Sequence, residues 1–169
     1  FEYLNASEDS TPACWRGTGF NSAWRESRIT DQLGRVERVF YNDKQHILGE
    51  INALGGLSIR HLDPQGLLVG LTDATGAHTR ITLNVDGQPT AITAADGATQ
   101  RIEYHPKLKR PIGITDAAGA VTRYGYDARG NLIAAEDAMG NVTRYRIDPH
   151  GQVVRITDAT GKHKTISYN

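Results

Sequence analysis

The chain has little of what several functional classes require. It holds one cysteine, Cys14, in 169 residues, which excludes an internal disulfide framework and any multi-thiolate metal site. Neither sign of charge predominates, since 19 Lys and Arg offset 19 Asp and Glu and the net charge is zero with histidine neutral. A neutral chain has no long-range field to hold a polyanion, so no nucleic-acid partner is expected. No apolar run approaches the roughly 18 residues that a membrane span needs, so no span is expected either. The chain opens at Phe1 without an initiator methionine or a signal-peptide pattern, as expected of a processed or excised piece.

Glycine, by contrast, is abundant: 18 residues, about 11% of the chain against a usual 7% or so. Its spacing is regular. Four-residue units open at Asp31, Asn42, Asn52, Asp63, Asp73, Asn84, Ala94, His105, Asp116, Asp127, Asp137, Asp148 and Asp158. Eleven of these thirteen openings are Asp or Asn, and eleven of the thirteen fourth positions are Gly, with Gln45 and Leu108 in the other two. Steps between openings alternate 11 and 10, a full period of 21 residues, and the alternation breaks once, where an extra residue lies within His105–Pro111. Asp or Asn opening a type I turn accepts a hydrogen bond from the backbone N–H two residues on. Glycine in fourth place takes the left-handed conformation that a Cβ resists. Together they make a hairpin connection with a bulged glycine. Strands of six or seven residues remain between turns, so an antiparallel up-and-down meander is predicted.

The strands carry period-two alternation. Counted from the glycine that opens each longer strand, fifth positions are Val39, Arg60, Ile81, Ile102, Tyr124, Tyr145 and Ile166. Seventh positions are Tyr41, Leu62, Leu83, Tyr104, Tyr126, Ile147 and Tyr168. This predicts one aromatic and aliphatic face. The opposite face would carry Arg38, Arg80, Arg101, Arg123 and Arg144. Gly56–Leu62 fits worst, with Arg60 at an apolar position. Residues 1–25 lack the repeat and hold Trp15 and Trp24, so they are read as a leading or capping segment before a repeat sheet over 26–169.

The stretch Asp116-Ala-Ala-Gly-Ala-Val-Thr-Arg-Tyr-Gly-Tyr-Asp-Ala-Arg-Gly-Asn-Leu132 resembles the tyrosine-aspartate (YD) repeat of the Rhs family. So does Asp137-Ala-Met-Gly-Asn-Val-Thr-Arg-Tyr-Arg-Ile-Asp148, and the likeness extends over about 31–169. That family comprises bacterial Rhs polymorphic toxins, toxin-complex B and C subunits, wall-associated proteins and teneurins. The resemblance implies an all-β fold, in which a repetitive antiparallel hairpin meander forms a curved sheet, part of a spiral β-shell. It implies a non-enzymatic structural role, the enclosure of a toxic effector domain. The implied partners are the remainder of the shell, the enclosed toxin and secretion machinery. It further implies secretion or delivery into a target cell in bacterial competition, type VI secretion effectors among the routes. Asp63-Pro-Gln-Gly66 and Asp148-Pro-His-Gly151 echo the Asp-Pro start of the family's self-cleavage motif, but both lie in ordinary turn register, and the protease activity is not carried over. About fourteen strands at roughly 4.8 Å span some 65 Å. Enclosing a cargo of about 130 residues needs a perimeter on the order of 140 Å. The chain therefore amounts to less than half a turn of such a wall.

No catalytic, cofactor-binding or metal-binding residue is assigned, and no cofactor is expected. A calcium ladder needs a nine-residue aspartate pitch, whereas the pitch here is 10 or 11 with Asn substituting freely. His46, His61, His78, His105, His150 and His163 show no metal-ligand spacing. Gly17-Thr-Gly19 is too short for a phosphate loop, and Cys14 has no partner base nearby in sequence. The tyrosine column is read as sheet packing rather than sugar stacking, and the arginines as a solvated face paired with carboxylates. The alternative function is a cell-surface binding module for glycans or a receptor. Unpaired strand edges would make the isolated chain prone to self-association.

Overall fold

The computed structural model describes residues 3–5 and 25–168, and every regular element in them is a β-strand. The chain forms two compact units, Phe1–Ile81 and Thr82–Asn169. The first contains β1 (Tyr3–Asn5), β2 (Arg25–Thr30), β3 (Val36–Tyr41), β4 (Ile47–Ile51), β5 (Leu57–Leu62) and β6 (Leu68–Thr72); the boundary falls within β7 (His78–Leu83). The second contains β8 (Pro89–Thr93), β9 (Thr99–Tyr104), β10 (Pro111–Thr115), β11 (Val121–Tyr126), β12 (Leu132–Glu136), β13 (Val142–Ile147), β14 (Val153–Thr157) and β15 (His163–Thr165). Within each unit consecutive strands pair antiparallel, in chain order. The fold is the all-β hairpin meander that the turn spacing predicts.

The strands alternate between six and five residues along most of the chain, shorter than expected. Long and short strands are matched through a second bulge that the sequence reading missed. Register shifts fall at Phe40/Tyr41, His61/Leu62, Pro111/Gly113, Gly125/Tyr126 and Arg146/Ile147. The unmatched residues are Leu48, Val69, Ile112, Ile133 and Val154. A bulge bends its strand and increases local twist. Here it recurs in five long-short strand pairs, each time beside the turn that joins the two.

In the first unit the core is built mainly on the face opposite to the predicted one, and Leu62 of the predicted face packs against it. Phe40 is fully buried and Leu48 nearly so, with Ile51, Leu57, Ile59 and Leu62 packed against them. Register sets Phe40 opposite Gly49, Gly49 opposite Ile59, and Ile51 opposite Leu57, so these share a face with Arg38. The reason is composition. β4 and β5 place Ile51, Leu57 and Ile59 at one parity, whereas Glu50 and Arg60 at the other parity approach each other at 3.8 Å on the far face. Arg60 is therefore an ion-pairing residue, not a misplaced apolar one. In the second unit the expected face holds: Ile102 lies opposite Ile114, Tyr124 opposite Ala135 and Tyr145 opposite Ile156, all half-buried.

Candidate functional site

The recurring unit is the turn, and its chemistry is repeated with little variation. In all thirteen, the opening residue donates its N–H across the hairpin and accepts a return bond through its carbonyl, at 2.8–3.1 Å. Oδ1 of each opening Asp or Asn then accepts two backbone N–H groups, from the residues two and four positions on. In the Asp31 turn Leu33 N–H donates at 2.8 Å and Arg35 N–H at 3.0 Å; in the Asp148 turn His150 and Gln152 do so at 2.9 Å each. One oxygen thus satisfies two donors that the short loop would leave unpaired. The second of these bonds, to the residue after the glycine, was not foreseen. Glycine closes eleven turns with φ between 77° and 87°.

The His105 turn departs from the prediction. Its left-handed residue is Lys109 (φ 55°), not Leu108, because the inserted residue lies in the loop and Lys109 N–H returns to the His105 carbonyl at 2.9 Å. His105 Nδ1 takes the place of the aspartate oxygen, accepting Lys107 N–H at 3.2 Å and Leu108 N–H at 3.0 Å.

Several aspartates titrate below their ordinary value for this reason. Hydrogen bonds are the leading cause in each case: Arg35 N–H for Asp31, and side chains of Thr75, Asn131, Asn141 and Thr160 for Asp73, Asp127, Asp137 and Asp158. Oδ1 of each turn aspartate is engaged by backbone N–H groups of its own turn, which accounts for the recurrence of aspartate at these positions. Among the described residues no group of three or more His, Cys, Asp or Glu is arranged to hold a metal ion.

Turns at one end of the hairpins touch across a strand pair. The His46 ring lies against Gly66, Lys109 Nζ meets Asp86 at 2.6 Å, and Gln88 donates to the Lys109 carbonyl at 2.8 Å. Arg110 covers Gly130 and stands 5.9 Å from the Tyr126 ring centre, while Arg129 donates to the Pro149 carbonyl at 3.1 Å. The turn glycines at the opposite end (Gly34, Gly55, Gly76, Gly97, Gly119, Gly140 and Gly161) have nothing within 4 Å of where a Cβ would stand. The tyrosine column belongs to the crowded end. Tyr104, Tyr126 and Tyr168 donate their hydroxyls to the carbonyls of Pro89, Pro111 and Val153, each at 2.8–3.0 Å and each 15 residues back. Those hydroxyls fasten one strand to the start of its neighbour.

Two side-chain clusters also form. Glu26, 4% exposed, receives Arg38 through two bonds of 2.7 and 2.9 Å and Arg28 at 2.7 Å, and the Arg38 guanidinium lies 5.2 Å from the Phe40 ring centre. The Arg38 hydrogen bond holds the Glu26 carboxyl below its ordinary value against the opposing effect of burial. His61 and His78 meet edge to face at 5.0 Å, with His61 Nε2 and His78 Nδ1 both bonded to Thr72 Oγ1 at 2.9 and 3.1 Å. Burial first, and His78 second, push His61 below the usual histidine range. No spacing in the sequence signals this meeting, which depends on the β5–β6–β7 register. Described cavities are open: about 410 Å³ beside Arg25, Ser27, Tyr41 and Gln45, about 400 Å³ beside His163, and about 230 Å³ beside Glu50 and Arg60. Cys14, Trp15 and Gly17-Thr-Gly19 lie outside the described residues.

A hairpin repeated at fixed pitch, closed by Asx–Gly turns, defines a β-repeat scaffold. The family model described as RHS Repeat matches residues 107–138 and 126–163, within the stretch where the resemblance was read. Comparison with curated protein sequences gives no match. Solved structures do match. The TcdB2–TccC3–Cdc42 crystal structure aligns with TM-score 0.59 and 17% identity over 80% of this chain and 8% of that one. A Photorhabdus luminescens Tc holotoxin pore carrying a TccC3 mutation aligns at 0.60 and 18% over 81% and 8%. TcdB2–TccC3 alone aligns at 0.60 and 17% over 80% and 8%. The likeness is one of fold, and the chain spans about 8% of the length of each of these structures.

Proposed function

We propose that the chain is a length of wall in an Rhs-type toxin shell, itself non-enzymatic, that encloses a toxic effector domain. The carrying observation is the 21-residue hairpin with a second bulge that recurs within each unit, in β3–β4 and β5–β6 of the first and in β9–β10, β11–β12 and β13–β14 of the second. Within each unit, repeated bulges beside the connecting turns favour a sheet that bends, as a wall around a volume must. Its partners are then the rest of the shell, the enclosed domain and secretion machinery, and the setting is secretion or delivery into a target cell. Residues 1–25 serve as a leading segment ahead of the repeats over 26–169. The pairing of β1 with β2, Tyr3 opposite Ser27, supports this by covering the edge of the first repeat strand.

The glycan-binding alternative has less behind it, because the Tyr104, Tyr126 and Tyr168 hydroxyls are already committed to main-chain carbonyls. Limited proteolysis of the intact gene product tests the proposal. The effector domain should survive protease as long as the repeat sheet is folded and be degraded once the sheet is melted. Degradation of that domain while the sheet is intact would overturn it. So would saturable affinity for a member of a glycan panel.

A further inference from the structure

In the second unit one face is a comb of arginines. Arg101, Arg123 and Arg144 stand third in β9, β11 and β13, and register sets Arg146 and Arg155 on the same face. All five are exposed; Gly113, Ala134 and Thr157 are the small positions between them on intervening strands, and two carboxylates share the face, Glu136 opposite Arg123 and Glu103 opposite Gly113. Arg146 lies directly opposite Arg155, and Arg144 is two residues from Arg146. Like charges directly opposed across a ladder are destabilising. Among the described residues none of these five guanidiniums has a hydrogen bond or an ion pair, so the expectation that they pair with carboxylates is not met.

The first unit contains the same arrangement with its solution. There Arg28 lies directly opposite Arg38, and the Glu26 carboxylate on the same face binds both at 2.7 Å. Arg146 and Arg155 have no such carboxylate within the described chain. We propose that this face of the second unit docks an acidic polypeptide, whose carboxylates bind Arg144, Arg146 and Arg155 as Glu26 binds Arg28 and Arg38. Arginine suits this role because its planar fork matches a carboxylate in two parallel bonds. An extended acidic segment repeats its side chains on one face about every 6.6–6.8 Å, the separation of Arg144 and Arg146 along β13. A single-stranded nucleic acid is the poorer fit. It binds by stacking bases on aromatic rings, and Tyr124 and Tyr145 occupy the other face. The proposal stands independently of the shell reading, since it rests on the sheet face alone.

The 169-residue chain is titrated with poly-L-glutamate and, separately, with a single-stranded oligonucleotide of equal charge. Saturable binding of poly-L-glutamate is expected at low salt and its loss near 1 M salt, where the screening length is about 3 Å. The triple variant Arg144→Gln, Arg146→Gln, Arg155→Gln should bind at least about tenfold more weakly, as expected for lost charge-assisted hydrogen bonds. Lys164→Gln, opposite Ile156 on the other face, should leave binding unchanged. Equal binding by the triple variant, or tighter binding of the oligonucleotide, overturns the proposal. A second readout covers a triple variant that folds poorly: Arg155→Thr should raise the thermal midpoint at low salt and not at high salt. A lowered midpoint at low salt would contradict it.

Discussion

Two glycines of the first unit have nearly the same backbone and different surroundings. Gly66 has φ 87° and Gly76 φ 86°, and both close hairpins with the same two backbone bonds. A Cβ at Gly76 would meet nothing within 4 Å, whereas at Gly66 it would stand 2.7 Å from His46 Nδ1 and closer still to Cε1. Alanine in the left-handed region costs about 1–2 kcal/mol. Fewer conformations in the unfolded chain offset about 0.4–1 kcal/mol of that. Gly76→Ala should therefore cost on the order of 1 kcal/mol. Gly66→Ala carries the same cost and must also displace the His46 ring, which adds about 1–3 kcal/mol as overpacking does elsewhere. Urea denaturation followed by far-ultraviolet circular dichroism measures both. Adding His46→Ala to Gly66→Ala should recover the excess and leave the backbone cost, a coupling that a double-mutant cycle isolates. Equal losses at the two glycines, or no recovery, would refute the reasoning. The converse applies at Gln45 (φ 64°) and Lys109 (φ 55°), where substitution by glycine should stabilise by about 1 kcal/mol.

Ala94 opens the one turn with neither an Asx nor a histidine in first place, and there Asp96 Oδ1 takes the Ala98 N–H instead. Ala94→Asp should stabilise by about 0.5–1 kcal/mol in the same denaturation assay, as capping oxygens do for orphan N–H groups. Tyr126→Phe should lose about 0.5–1.5 kcal/mol with the bond to the Pro111 carbonyl, read as a lower thermal midpoint. Acid should act in two stages. His61 titrates below its ordinary 6.5, so the fold favours its neutral form; its contribution is complete above 6.5 and declines as pH falls toward the lower folded value. Asp31, Asp73, Asp127, Asp137 and Asp158 titrate below 3.8, so their contribution is complete above 3.8 and is lost as pH drops through their folded values. His61→Gln should abolish the first stage and leave the second, as followed by thermal midpoints across pH.

The turns were legible because everything that makes them is local. An opening oxygen, two N–H groups within four residues and a residue free to take positive φ are all written in consecutive letters. The His105 turn was located but its left-handed residue was not, since without glycine nothing in Leu108-Lys109 marks which one bends. Facing was less legible. Alternation in the longer strands points to one apolar face, yet Phe40 is buried on the other because β4 and β5 present Ile51, Leu57 and Ile59 there. The apolar doublets Ile47-Leu48, Leu68-Val69, Leu132-Ile133 and Val153-Val154 mark the second bulge, once its place is known. Contacts such as His61 with His78, or Arg110 with Gly130, depend on which residues the register sets side by side, and no local pattern encodes that.

Electron cryomicroscopy of the intact gene product tests the wall most directly. The account predicts these strands in chain order, about 4.8 Å apart, bounding a closed volume that contains density for another polypeptide segment. A sheet with solvent on both faces and no enclosed volume would contradict it, as would Asx–Gly quartets lying within helices.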